Sequence, residues 1–253
     1  MSIFSKTTKS YNLVFPLAVL FCLIIFSIKS AHANNQATYW ILGNYNPEQK
    51  SLIAKAVGLA VTRMQNERLR RKLYEKNSFH YISNSVMNIS NLIDTDKNRK
   101  NLLWHQLYWL SQPNGSNDTE PAFPNVKINM TNAPNGKWVG RARLDLVKVF
   151  WNSKVKEWQQ SGEFNIELNS AFVGRKDIHF VYGETDYWAG TIAHEMLHNL
   201  GHTHGEYSSD KNYESYQINV FDRIIASNGY ESKTLASSTF YGNSQVVLEC
   251  GVK

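Results

Sequence analysis

The 253-residue sequence predicts an α+β, or mixed α/β, fold, and three features predict it. Apolar residues recur at helical spacing from Leu52 to Met64, alternating apolar and polar segments cluster between residues 126 and 182, and a further helix with clear end signals covers residues 189–200. The order strand, long helix, helix, several strands and a last helix fits a twisted sheet with helices packed against it.

The chain starts with Lys6 and Lys9, an apolar run from Leu13 to Ile28, and then Ala31-His32-Ala33. This is the pattern of a secretory signal peptide cleaved after Ala33. The alternative is an uncleaved anchor, for which roughly 16 apolar residues are short. Phe21 stands before Cys22 where a lipid-attachment site wants a small residue. Residues 1–33 are thus expected to be a leader, and the product to be secreted or periplasmic without stable membrane association. Residues 34–253, about 220 in number, fit one domain.

The leader holds Lys6, Lys9 and Lys29 and no acid, so its loss lowers the net charge from +6 to +3. That balance is too mild to indicate nucleic acid or an anionic membrane as partner. Cys22 leaves with the leader and Cys250 stands alone. The mature chain can form no intrachain disulfide, so its core, helped by a bound metal, must hold it together. A monomer is expected. Asn88, Asn114, Asn117 and Asn129 begin glycosylation sequons, which matter only in a host that glycosylates.

Thr38–Leu42 reads as a first strand. Asn46, Pro47 and Gln49 read as N-cap, first helical residue and the closing residue of a capping box. Leu52, Ile53, Ala56, Leu59, Ala60 and Met64 should then face the core, and the helix is expected to continue through Arg68–Lys72, with those charges solvated. A second helix is expected over Asn98–Leu110, with Leu102, Leu103, Trp104, Leu107, Tyr108 and Leu110 as core. Gln112–Pro124 reads as a surface loop, and a prosegment covering residues 34 to about 120 is the alternative to one continuous domain. Val126–Met130, Lys137–Val147, Phe164–Leu168 and Asp177–Tyr182 read as strands, Val155–Gln160 as a short helix, and Ile218–Ala226 as the last helix.

The helix capped by Thr185 or Asp186 carries the chemistry. His194 and His198 are four residues apart, so both imidazoles leave one face and can reach one metal ion. Glu195 lies beside that ion, where a carboxylate can take a proton from water without being a ligand. Ile192, Met196, Leu197 and Leu200 fill the buried directions. Gly201 suits the positive-φ position that ends a helix, and a turn there lets His204 supply a third nitrogen. Three imidazoles leave a fourth position open, the mark of a catalytic Zn2+ site. His202 is off the spacing and reads as a surface or supporting residue. His32, His80, His105 and His179 have no spacing partner and read as ordinary, partly buried histidines.

His194, Glu195, His198, Gly201 and His204 together match the extended pattern H-E-x-x-H-x-x-G-x-x-H, and the chain resembles the metzincin clan of zinc peptidases over residues 190–205. The resemblance implies a metzincin-like catalytic domain, His194, His198 and His204 as zinc ligands, Glu195 as general base, and a polypeptide substrate. Metzincins carry a methionine turn beneath the zinc, yet no methionine follows His204 here. Tyr216 is the candidate substitute, as fifth ligand or oxyanion donor, with Tyr207 and Tyr213 as rivals. In another zinc-peptidase clan the third ligand is a later Glu, which would be Glu214 or Glu231. An extended substrate would pair with a sheet edge, either Phe164–Leu168 or Lys137–Leu144. Two other functions remain open: a zinc-binding effector without peptidase activity, and a zinc amidase acting on cell-wall peptides.

Overall fold

In the computed structural model of the chain, the sheet and helices that surround residues 184–199 come from both halves of the sequence. The structure describes residues 39–43, 45–75, 81–82, 86, 93, 95–110, 113–114, 120–121, 125–136, 138–144, 146–152, 157–176, 179–180, 182–203, 217–229, 240–241 and 249–252. The leader, His32, His80, His204, Tyr207, Tyr213, Glu214, Tyr216 and Glu231 lie outside these, as does most of the 112–124 loop. All described residues belong to one compact unit, Gln36–Lys253.

Strand β1 (Tyr39–Gly43) leads into helix α1 (Pro47–Met64). The Asn46 side chain accepts from the Gln49 amide while the Gln49 side chain accepts from the Asn46 amide, so the capping box closes as its residue types require. Ile53, Ala56, Ala60 and Met64 are buried, joined by Val57 and Val61, while Leu52 and Leu59 pack at the margin of the core. The helix does not run on through Arg68. It ends at Met64, and α2 (Glu67–Glu75) starts anew because the Asn66 side chain accepts from the Leu69 amide in the manner of an N-cap. Arg70 is not solvated either. Its guanidinium is buried beside the Trp104 and Tyr108 rings, 5.6 and 5.3 Å from their centroids, and donates to the Leu107 carbonyl.

After β2 (Tyr81–Ile82) comes α3 (Asp96–Trp109), capped by Thr95. Leu102, Leu103, Leu107 and Leu110 are core as expected, but Tyr108 is 47% exposed and Trp104 half-buried. These two rings cover Arg70 rather than fill the interior, which a stripe of apolar and aromatic residues cannot reveal by itself.

The remaining strands are β3 (Pro113–Asn114), β4 (Glu120–Pro121), β5 (Val126–Thr131), β6 (Trp138–Ala142), β7 (Lys148–Asn152), β8 (Glu157–Ser161), β9 (Phe164–Asn169) and β10 (His179–Phe180). Helix α4 (Glu184–Asn199), β11 (His202–Thr203), α5 (Gln217–Ala226), β12 (Phe240–Tyr241) and β13 (Glu249–Val252) complete the order. Of the expected helix at Val155–Gln160, the described part, Glu157–Gln160, lies instead in the second arm of a hairpin. β8 pairs antiparallel with β7 and sets Trp158 opposite Trp151. Six residues are too few for periodicity to separate helix from strand, and the pairing with β7 decides the matter.

The main sheet has the order β1-β5-β9-β6-β13. β1, β5 and β9 are parallel, β6 is antiparallel to β9, and β13 runs parallel to β6. This is a mixed sheet in a mixed α/β fold. Val126, Ile128 and Met130 pair in register with Phe164, Ile166 and Leu168, and all six are buried. The intervening positions carry polar partners, among them Arg141, which grips Glu167 through two bonds of 3.0 and 2.8 Å. Alternation with period two therefore gives this sheet one apolar face. Neither proposed substrate strand is an edge: β9 is internal, and β6 pairs with β13 on its other side. Among the described strands the sheet's edges are β1 and β13.

Candidate metal centre

Helix α4 is buried on every side from Trp188 to Asn199. It packs most extensively on α1 and α5, and its third side meets β6 and β9. A helix so enclosed is not amphipathic, and any polar side chain on it needs a built partner. Neither Thr185 nor Asp186 is its cap. The N-cap is Gly183, at φ +93°, with no side-chain bond, and both residues lie inside the first turn. Asp186 is instead held by Arg63 at 2.5 Å. Glu184 accepts from the Gly174 amide and from the Trp188 indole.

His194, Glu195 and His198 are all buried, at 1%, 0% and 0% exposure. The two imidazoles lie on one face with ring centroids 4.9 Å apart and planes at 76°. The first turn of chain beyond the helix fixes one of them. Gly201 adopts φ +93°, its amide donates to the His198 carbonyl, and His202 follows in β11, paired with Ile82 of β2. The His198 Nδ1 atom lies 2.8 Å from the His202 carbonyl oxygen. A carbonyl only accepts, so Nδ1 carries the proton and Nε2 the lone pair, which is the tautomer a metal ligand needs. Burial, and secondarily the nearby His194, hold the His198 pKa well below the ordinary histidine value, against the opposing pull of the His202 carbonyl. The ring is therefore neutral at neutral pH.

The donor set fits zinc: two imidazoles at helical spacing, one with its tautomer fixed by a carbonyl, and a buried carboxylate on the same helix. Among the described residues no group of three or more His, Cys, Asp or Glu converges as a complete ligand set. The expected third ligand, His204, follows Thr203 and lies outside the described residues, as do Tyr216 and the rival ligands Glu214 and Glu231.

His202 proves not to be a surface residue. It is 2% exposed, and its Nε2 atom lies 2.7 Å from Gln106 Oε1. His105 is exposed rather than partly buried. Two contributors escaped the sequence reading. Gly140 of β6 passes so close to the helix that a Cβ there would sit 2.8 Å from Glu195 Oε1 and 3.0 Å from Thr191 Cγ2. An isolated glycine inside a strand pattern is the signal that marks such an approach. Asn199 accepts from the Asn165 amide at 2.7 Å and donates to the Arg143 carbonyl at 2.9 Å, tying the helix end to the strands beside it. No short motif announces it.

No protein family, curated protein or solved structure matches the chain. Among the described residues no helix is long and apolar enough to cross a membrane.

Proposed function

We propose that this chain is an exported zinc-dependent endopeptidase with a metzincin-like catalytic domain, His194, His198 and His204 as ligands, and Glu195 as general base. The observation that carries the reading is the buried face of α4, where His198 is held as the Nδ1–H tautomer beside His194 and Glu195. Burying two imidazoles and a carboxylate on one core helix costs free energy that their hydrogen bonds or a bound metal must offset. The extended motif and the leader support the same reading from the sequence side.

His194, His198 and His204 would hold the zinc, which would supply Lewis acidity and a water acidified to a pKa of about 7. Glu195 then does the proton work. Its carboxylate takes the proton of the attacking water and returns it to the departing amine, so one residue serves as base and then as acid. β6, through Gly140, walls the site on the side of Glu195. An extended polypeptide pairs with that strand only by displacing β13, or else it binds along another surface.

The test is a Glu195→Ala variant assayed with unfolded casein, short peptides and peptidoglycan fragments side by side, with zinc measured on the same samples. Normal zinc content with hydrolysis lost is the expected result. An active variant would overturn the assignment of the base. Cleavage of the cell-wall fragments alone would favour the amidase reading. The absence of a methionine after His204 favours a second reading, a zinc-binding effector; wild-type protein that holds zinc and hydrolyses nothing would select it. Separate His204→Ala, Glu214→Ala and Glu231→Ala variants, scored by bound zinc, identify the third ligand. Only the first should lose the metal.

A further inference from the structure

Gln106 is a fully buried amide on the α3 stripe otherwise made of Leu102, Leu103, Leu107 and Leu110. Burying an amide costs about 1–3 kcal/mol unless its hydrogen bonds are made, and Leu or Met would fill the same space. Both ends of this amide are engaged. Nε2 donates to the Leu200 carbonyl at 3.2 Å, and Oε1 faces His202 Nε2 at 2.7 Å. We propose that Gln106 is a positioning residue for His198, acting through His202; the proposal rests on the zinc reading above.

Each bond in the chain has one permitted direction. The Leu200 oxygen only accepts, so the Gln106 NH2 group must point to it, and its carbonyl oxygen must point to His202. His202 is thereby required to present Nε2–H, and the seated ring fixes the backbone of its own residue. The carbonyl of that residue accepts from His198 Nδ1–H, which directs the His198 lone pair to Nε2. The circuit is short, because Leu200 lies midway between His198 and His202 along the chain. It links the metal face of α4 to a helix some ninety residues earlier. Partners of this kind, behind a ligating histidine, typically change metal affinity by ~10–100-fold when removed.

A purely structural explanation is available, in which β11–β2 pairing holds the His202 carbonyl and Gln106 only fills space. Gln106→Met separates the two, since it keeps length and volume but makes neither bond. The experiment uses the folded exported chain as wild type, Gln106→Met and Gln106→Glu. It measures zinc dissociation constants by competition with a chromophoric chelator, and imidazole tautomers in metal-free protein by nitrogen-15 NMR. Wild type should show His198 as Nδ1–H and His202 as Nε2–H. Gln106→Met should bind zinc ~10–100-fold more weakly and show a mixed His198 tautomer, at unchanged helix content. Gln106→Glu, which still offers an acceptor to His202, should recover most of the affinity. Wild-type affinity and tautomer in Gln106→Met would overturn the proposal while leaving the zinc reading intact. Wild-type protein that takes up no zinc would sink both. Should neither variant fold, the wild-type spectrum still tests the link to Gln106, because a metal-free His202 protonated on Nδ1 alone would overturn it.

Discussion

Gly140 is the residue at which fold and chemistry can be separated most cleanly. Its φ is not in the left-handed region, so alanine suits the strand, and what the new methyl group meets is the Glu195 side chain, at Oε1 and Cγ, together with Thr191 Cγ2. Side chains rather than backbone must give way. Gly140→Ala should therefore cost no more than about 1–3 kcal/mol, the usual range for a tight core insertion. On the peptidase reading, kcat/KM should fall by roughly 10²-fold, as expected for a catalytic group misplaced by about an ångström. Chemical unfolding and peptide kinetics on one preparation test this; loss of stability with kinetics unchanged would contradict it. Asn199→Ala should behave in the opposite way. It removes the partner of a buried backbone amide at Asn165 and of the Arg143 carbonyl, so unfolding free energy should drop by about 1–3 kcal/mol. A urea titration measures it. That His194 and His198 share one buried helix face was legible in the sequence, because a spacing of four residues is a local, one-dimensional signal. Gly140 and Gln106 were not, because their roles depend on which segment the fold brings against them.

At the scale of elements, legibility follows the same division between local and distant partners. The capping box at Asn46 and the positive φ of Gly201 involve neighbours within a few residues and came out as read. The start of α4 did not, because Asp186 is drawn away from capping by Arg63, more than a hundred residues earlier. Arg63 in fact joins three helices. From the last turn of α1 it pairs with Asp186 in the first turn of α4 and donates to the Ile225 and Ala226 carbonyls at the end of α5. The pair is mostly shielded, at 11% and 28% exposure, so solvent screening is reduced but not absent. A cation at a helix C-terminus and an anion at a helix N-terminus each complement the helix dipole as well. The Arg63→Met, Asp186→Ala and doubly substituted proteins should then show a coupling free energy of about 0.5–3 kcal/mol. Strict additivity would mean that the ion pair does not orient α4.

For the whole molecule the open question is whether residues 34 to about 120 are a removable prosegment or part of the domain that carries α4, and the packing favours the second. β1 is hydrogen-bonded into the main sheet along its full length, Tyr39 to Gly43 against Val126 to Met130. Helix α1 sets Ile53, Val57, Val61 and Met64, none more than 2% exposed, in the same core cluster as Ile192 and Met196 of α4. At ~1.5–3 kcal/mol per buried side chain, those four alone contribute roughly 6–12 kcal/mol. That is the size of the whole stability of an ordinary domain, about 5–15 kcal/mol. Removing the segment would also take Gln106 from behind His202 and Arg63 from between α4 and α5. A protein comprising only residues 121–253 should consequently show no cooperative unfolding transition and no near-ultraviolet circular dichroism. On the proposed reading of an exported peptidase, N-terminal sequencing of the mature protein should find a start close to Asn34, upstream of β1. An active form beginning near residue 121 would show that this core can be rebuilt without α1, α2 and α3, and would overturn the prediction.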